Sequence, residues 1–293
     1  MNDQPRTEDV WPIADAAPAS ACTGALSGIM DTLRIPLAAR AWGSRLFPEF
    51  VVHDETAARL LDSLEDDGSL WLDDRHTVYS VLMRTRIFRR LARRYLHEHP
   101  GGHVLNLGCG LSNYFQWLDN GRCRLTDVDL PEVIELRQRL MPPACERHAL
   151  AAIDLRSRGW WRRAGFHLWP TEQPVFLFGE AVLVYLQPRE VVAVLAEFAE
   201  EAAPGSIFAL DAANWLAVGG AWAHPSVRHL DAEFTWGVRS PLDLTWPHPR
   251  LRLAATHEIM ESYGWPYSVL GPVTTLMTGV PMYAVYELQL RDA

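Results

Sequence analysis

His103-Val104-Leu105-Asn106-Leu107-Gly108-Cys109-Gly110 and, a dozen residues on, Arg122-Cys123-Arg124-Leu125-Thr126-Asp127-Val128-Asp129 decide the fold. The first is a short apolar strand running straight into glycines. The second is another strand, closing on an acid. Glycine allows backbone to approach a ligand closely and to adopt turn geometries closed to other residues. Asp129 follows Gly108 by 21 residues, close to the spacing at which an acid meets a ribose in nucleotide-binding βαβ units. The full G-x-G-x-x-G pattern fails because Asn113 holds its third glycine position, which argues against NAD or FAD.

Upstream, His99-Pro100-Gly101-Gly102 breaks a helical region that runs back to Ala25. Leu91, Tyr95 and Leu96 fall at helix spacing there, and Arg89, Arg90, Arg93 and Arg94 take the solvated side. Residues 1–24 mix Pro, Ala, Asp and Thr without periodicity and are expected to form a mobile leader. Downstream, Pro131 opens a helix over 132–140. A third strand is predicted over 146–150, reaching Asp154, and a fourth over 174–179, ending at Glu180. A helix over 188–201 and a fifth strand over 206–210, ending at Asp211, follow. Residues 212–250, rich in Trp, His and Pro, read as a substrate-facing insertion. Residues 251–257 and 283–290 read as two last strands. Apolar strands alternating with amphipathic helices predict an α/β chain with a mostly parallel sheet covered on both faces.

Composition removes whole classes of function. The net charge of −9 disfavours nucleic-acid binding, which rests on basic surface. All 27 basic residues are Arg; with no Lys, Schiff-base chemistry, a Walker-A loop and a kinase-type lysine are excluded. Cys22, Cys109, Cys123 and Cys145 form no C-x-x-C pair and suggest a reduced, cytoplasmic protein. No signal peptide or membrane-length apolar run is expected. The expected partner is a small molecule, with no nucleic acid and no membrane.

The acids carry the functional signal. Asp129, Asp154, Glu180 and Asp211 each stand at or just past the carboxyl end of a predicted parallel strand. Ligands of open α/β sheets bind at those ends. A carboxylate at Asp129 can accept from both hydroxyls of a ribose.

Three stretches carry a family resemblance: Val104 to Leu111, Asp127-Val128-Asp129-Leu130-Pro131-Glu132-Val133-Ile134, and Gly179-Glu180-Ala181-Val182-Leu183-Val184-Tyr185-Leu186. They resemble the S-adenosylmethionine-dependent carboxyl O-methyltransferases, the family that includes leucine carboxyl methyltransferases and tetracenomycin-type polyketide methyltransferases. Ile35 to Arg40, Arg84-Thr85-Arg86 and Phe234 to Val238 are similar to flanking parts of that family, so the likeness covers roughly residues 30–290. It implies a class I methyltransferase Rossmann-like sandwich with a seven-stranded sheet in residues 100–293, a helical N-terminal lid over 25–99, and S-adenosylmethionine as cofactor. Arg84 would pair with the methionyl carboxylate. Gly108 and Gly110 would pass under the methionine moiety near Asn106. Asp129 would hold the ribose, Asp154 and Leu155 would flank the adenine, and Glu180 would lie by the amine or sulfonium.

One departure stands out. Where the family usually continues with an acid, a Thr and an Arg, this chain has Ser112-Asn113-Tyr114. Asn113, Tyr114 and Tyr185 are therefore the candidate catalytic positions, and Tyr79, Tyr114, Tyr185 and Trp215 the candidate π faces for a sulfonium. The implied reaction is methyl transfer to the carboxylate of a natural-product acid. The altered stretch leaves open a second reading, cyclisation of the cofactor to azetidine-2-carboxylate with release of methylthioadenosine, and a third, a catalytically silent cofactor-binding protein. His224, His229, His248 and His257 match no metal-ligand pair, and no metal is expected. A carboxylate acceptor needs no base, whereas a hydroxyl acceptor would need one, with His224 as the candidate.

Overall fold

The computed structural model describes residues 23–50, 52, 54–66, 68–170, 172–220 and 233–292, with side chains from residue 32 onward. The leader up to residue 22, Cys22, His224, His229 and the middle of the 212–250 insertion lie outside the described residues. Four helices come first: α1 (Thr23–Trp42), α2 (Glu55–Ser63), α3 (Ser69–Leu72) and α4 (Arg75–Glu98). Asp54 and Asp74 cap α2 and α4 by accepting from the Ala57 and Thr77 amides, which satisfies first-turn N–H groups that have no intrahelical partner.

The rest of the chain builds one sheet from β1 (His103–Leu107), β2 (Arg124–Asp129), β3 (His148–Ala152), β4 (Val175–Gly179), β5 (Ile207–Ala213), β6 (Leu251–Glu258) and β7 (Tyr283–Leu290). The strand order is β3-β2-β1-β4-β5-β7-β6. The first five strands are parallel, and β7 runs antiparallel to both β5 and β6. β1 and β4 are buried along their whole length, as central strands covered on both faces must be. Between strands lie α5 (Phe115–Leu118), α6 (Pro131–Leu140), α7 (Trp160–Arg163), α8 (Pro188–Glu201), α9 (Leu242–Thr245) and α10 (Tyr267–Thr278). Pro131 and Pro188 sit in the first turns of α6 and α8, where the missing N–H costs nothing.

One face of the sheet packs on α8 through Val191, Val194, Leu195 and Phe198. The other packs on α4, where Phe88, Leu91 and Tyr95 meet Phe176 and Phe178. A smaller core joins Leu37 and Ala38 of α1 to Leu60 and Leu61 of α2 and to Leu111, in the loop after β1. That core seats the N-terminal helices on the loop at the carboxyl end of β1. Among the described residues no helix is long and apolar enough to cross a membrane.

The structure corrects several boundaries. β3 lies two residues later than the predicted strand and does not reach Asp154. β5 continues to Ala213, so Asp211 lies inside the strand, opposite Val285 of β7, and not beyond its end. The antiparallel partner supplies the extra ladder. The insertion is more ordered than expected where it is described, with a 3-10 turn at Trp215–Ala217 and the short helix α9. Helix α10 has no counterpart in the sequence reading, since Gly271 and Pro272 interrupt its pattern.

Candidate active site

The loop after β1 turns through Gly108 at φ +60° and Gly110 at φ +49°. A Cβ on Gly108 would lie 2.2 Å from Cγ2 of Val182, and one on Gly110 would lie 2.8 Å from Cδ2 of Leu33 in α1. Gly108 therefore needs glycine on two counts, backbone angle and space, and Gly110 chiefly for its backbone angle, since the Leu33 methyl can move aside. Asp129, at the end of β2, accepts from the Gly110 amide and the Leu130 amide, each at 2.7 Å. Burial pushes its carboxyl above the ordinary range, against the pull of those amides and of Arg137. Two carboxylate oxygens offer about four acceptor directions, so two remain for a ligand's hydroxyls.

A fully buried ion pair supports this loop from below. Arg137 of α6 donates to the carbonyls of Gly110 and Ser112, both at 2.7 Å, and pairs with Asp127. Asp127 also accepts from Asn106 at 2.7 Å and meets Nε2 of His148 at 2.7 Å. Burial raises the Asp127 carboxyl, but Arg137, His148 and Asn106 outweigh it and hold it below the ordinary range. The Asn106 amide is thus placed on Asp127 and on Ser112 (3.2 Å), beneath the loop. Asp127 and Arg137 were not picked out from sequence. The signal available was period-two alternation, which turns Asp127 to the same side as Asp129.

Next to the loop, at the carboxyl end of β4, lies a second buried network. Arg84 of α4 donates from Nε to Glu180 at 3.0 Å and from Nη1 to the Tyr283 hydroxyl at 3.0 Å. Thr85 donates to the same Glu180 oxygen at 3.2 Å, and the Tyr114 hydroxyl donates to the other at 2.6 Å. Tyr283 in turn donates to Asp211, whose second oxygen accepts from the Ala181 amide at 2.6 Å. Burial would raise the Glu180 carboxyl, but Arg84, Arg40 and the Tyr114 hydrogen bond hold it below the usual range. Asp211 goes the other way: burial lifts it, and Arg84 and Tyr283 only partly offset that. Burial works against the Arg84 charge, yet Tyr283, Glu180 and Asp211 raise its pKa well above normal. One arginine is thus set among two carboxylates and a phenol.

The remaining sequence candidates are dispersed around these two networks. Asn113 donates to Thr56 of α2 at 3.1 Å, tying the loop to the helical layer. The Ile153 amide donates to the Asp129 carbonyl at 2.7 Å, which brings the 153–155 segment beside Asp129. Asp154 there is held by Arg156 through its backbone amide and its guanidinium, and that hydrogen bonding lowers its carboxyl pKa. Leu155 is buried in the core beside Val128 and Trp160. Tyr79 packs edge-on against Phe47, Phe50 and Tyr263, within an aromatic cluster of its own. Tyr185 and Trp215 are 37% and 38% exposed and stand on the rim beyond β4 and β5. Their segments are joined through 234–238: Thr235 donates to Val184, and Trp215 to Val238. His257 faces Glu287 and Arg90 on the β6–β7 side, and no metal-binding group of three or more residues exists among the described residues.

Comparison with known proteins gives this geometry its context. The family model for leucine carboxyl methyltransferase matches residues 34–199. The chain belongs to the leucine carboxyl methyltransferase family. It is a transferase, and its cofactor is S-adenosylmethionine. It is 29% identical over 238 residues to the tetracenomycin polyketide synthesis O-methyltransferase TcmP of Streptomyces glaucescens, covering 81% of this chain and 85% of that one. It is 25% identical over 284 residues to a candidate S-adenosyl-L-methionine-dependent methyltransferase of Mycolicibacterium gilvum, covering 89% and 87% of the two chains. Among solved structures, a candidate methyltransferase from Thermobifida fusca superposes with a TM-score of 0.55 at 17% identity, over 89% of this chain and 94% of that one. That likeness concerns the fold, which is the class I methyltransferase sandwich.

The donor set suits the cofactor. It offers a glycine turn that a Cβ would obstruct, a strand-end carboxylate with free acceptor directions, and a buried arginine beside a buried carboxylate. S-adenosylmethionine presents a ribose diol, a carboxylate and an ammonium, the complements of those groups.

Proposed function

We propose that this chain methylates an oxygen of a small organic acid, its carboxylate, in the making of a natural product. The observation that carries the reading is the buried Arg84–Glu180 pair, set beside Asp129 and the Gly108–Gly110 turn at the carboxyl ends of adjacent strands. The likeness to TcmP, an O-methyltransferase of tetracenomycin polyketide synthesis, supports an oxygen acceptor on a natural product.

When bound, S-adenosylmethionine supplies an electrophilic methyl group on a sulfonium. The protein's part is to bind and orient. Arg84 would take the methionyl carboxylate, Glu180 the ammonium, Asp129 the ribose hydroxyls, and Asp154 with Leu155 the adenine edge. Tyr185, on the rim, would offer its ring to the positive charge. A carboxylate acceptor is already ionised at neutral pH, so alignment and exclusion of water are the main demands on the site. The rim fits an aromatic acid: Trp215 gives a flat apolar face, and the Arg239 guanidinium lies 5.5 Å from its centroid as a cation for the acceptor's charge. Cyclisation of the cofactor would need its amine as a free nucleophile. A carboxylate held below its usual pKa, as Glu180 is, favours the ammonium form instead. The relatives reported are methyltransferases as well.

The test is incubation with S-adenosylmethionine, alone and with a panel of aromatic acids and phenols, read by mass spectrometry. Adenosylhomocysteine and a base-labile methyl ester should form only when an acid is added. Methylthioadenosine without acceptor, or methylation confined to phenols, would overturn the proposal.

A further inference from the structure

Ala181 has a φ of +55°, in the left-handed region that an alanine enters only at a cost. It directly follows Glu180, and Val182 after it presses on Gly108 so closely that no Cβ fits there. The backbone of 180–182 therefore sets two parts of the site at once, the Glu180 carboxylate and the wall against the glycine turn. Such strain persists only where the surroundings enforce it. The Ala181 amide donates to Asp211 at 2.6 Å. Asp211 is 2% exposed, and its other oxygen is taken by the Tyr283 hydroxyl, which also accepts from Arg84 at 3.0 Å. Asp211 pairs with Val285 and Tyr283 with Ala213 in the β5–β7 ladder, so Asp211 and Tyr283 are diagonal neighbours across it.

We propose that Asp211 and Tyr283 are positioning residues: a buried clamp that holds the strained Ala181 turn and so fixes Glu180 for the cofactor's amino-acid end. The proposal rests on the reading of Glu180 as a cofactor contact. Asp211 acts through the Ala181 amide, and Tyr283 keeps Asp211 in line while bridging it to Arg84. Three elements distant in sequence, α4, β5 and β7, thereby fix one short turn after β4.

The clamp predicts a specific rescue. In Asp211→Ala the turn loses its holding bond, Ala181 relaxes out of the left-handed region, and affinity for S-adenosylhomocysteine falls by roughly 5- to 30-fold. In Asp211→Ala combined with Ala181→Gly the same turn costs little, so most of that affinity returns. Ala181→Gly alone stays within about twofold of wild type. Asp211→Asn keeps an oxygen for the Ala181 amide and loses less than Asp211→Ala. Tyr283→Phe falls between the two.

The experiment measures S-adenosylhomocysteine affinity by calorimetry for these five variants, with melting temperature and hydrogen exchange of the 179–184 segment on each. Faster exchange in Asp211→Ala, slowed again by Ala181→Gly in step with affinity, is the expected result. An affinity loss that Ala181→Gly leaves untouched would overturn the clamp, since Asp211 would then act on the ligand directly or on the fold at large. Unchanged exchange in Asp211→Ala would overturn it too, even if that variant binds poorly. Should the wild type not bind S-adenosylhomocysteine while exchange follows the predicted pattern, the clamp on the turn stands and the cofactor role of Glu180 fails.

Discussion

Arg84→Met strips the guanidinium from a buried cluster and leaves its shape nearly intact. The Arg84 and Glu180 side chains are 11% and 8% exposed, so solvent does little to screen their interaction. Asp211, 1% exposed at the side chain, lies 3.9 Å from the same guanidinium. Removing one partner of a buried ion pair leaves an uncompensated charge, at a cost of about 3–5 kcal/mol. For a chain of this size that corresponds to a fall in melting temperature of roughly 6–20 °C. The pH dependence is the sharper signature. In the wild type, Glu180 is held below its ordinary pKa, so its contribution is present above the unfolded value and is lost as pH falls through the folded one. Without Arg84, burial becomes the dominant influence on Glu180, opposed by Arg40 and Tyr114, and Asp211, already raised, rises further. An acid with a raised folded pKa binds protons more readily in the native state, so stability increases as pH falls through that window. The deficit of Arg84→Met relative to wild type should therefore be largest near pH 8 and shrink toward pH 5. Arg84→Lys, which keeps the charge, should show a smaller deficit and little of this trend. Melting curves across that range decide the matter. A deficit independent of pH in Arg84→Met would show that lost packing, and not charge compensation, is what Arg84 supplies.

Asp129→Ala should weaken cofactor binding by roughly 30- to 1,000-fold through loss of about 2–4 kcal/mol of charge-assisted hydrogen bonding, and calorimetry at wild-type affinity would remove Asp129 from the site. Because burial raises the Asp129 carboxyl, wild-type affinity should fall on acidification beginning above the ordinary carboxylate range, a trend absent from Asp129→Asn. Gly108→Ala places a methyl against Val182 and strains a φ of +60°, so it should lower both melting temperature and cofactor affinity; a variant with normal values for both would show that the turn yields easily. Tyr185→Ala should slow single turnover by up to about 30-fold if its ring faces the sulfonium, with Tyr185→Phe close to wild type, while equal rates in all three proteins would make Tyr185 a rim residue only.

How much of this was legible in the sequence follows from how local each feature is. Asp129 and the glycine turn could be read because a strand, a turn and the next strand end lie within 27 residues, and alternation alone brings them together. Glu180 could be read for the same reason, as the residue just past an apolar strand. Arg84 was named only through resemblance. In Arg84-Thr85-Arg86-Ile87-Phe88-Arg89-Arg90 the helical pattern does not say which arginine turns inward; packing against β4 and β7 decides that. The partners of Asp211 and Tyr283 were out of reach, since those residues lie 72 positions apart and meet only once β7 pairs antiparallel with β5. That same pairing lengthens β5 and draws Asp211 back inside the strand, where an acid without partners would be costly. What looked like a fourth strand-end acid awaiting a ligand is thus already committed to Tyr283 and the Ala181 amide. The distinction matters for any chain of this architecture. A strand-end carboxylate marks the ligand side of the sheet, but whether it meets the ligand or holds the residue that does is settled by the strand packed beside it.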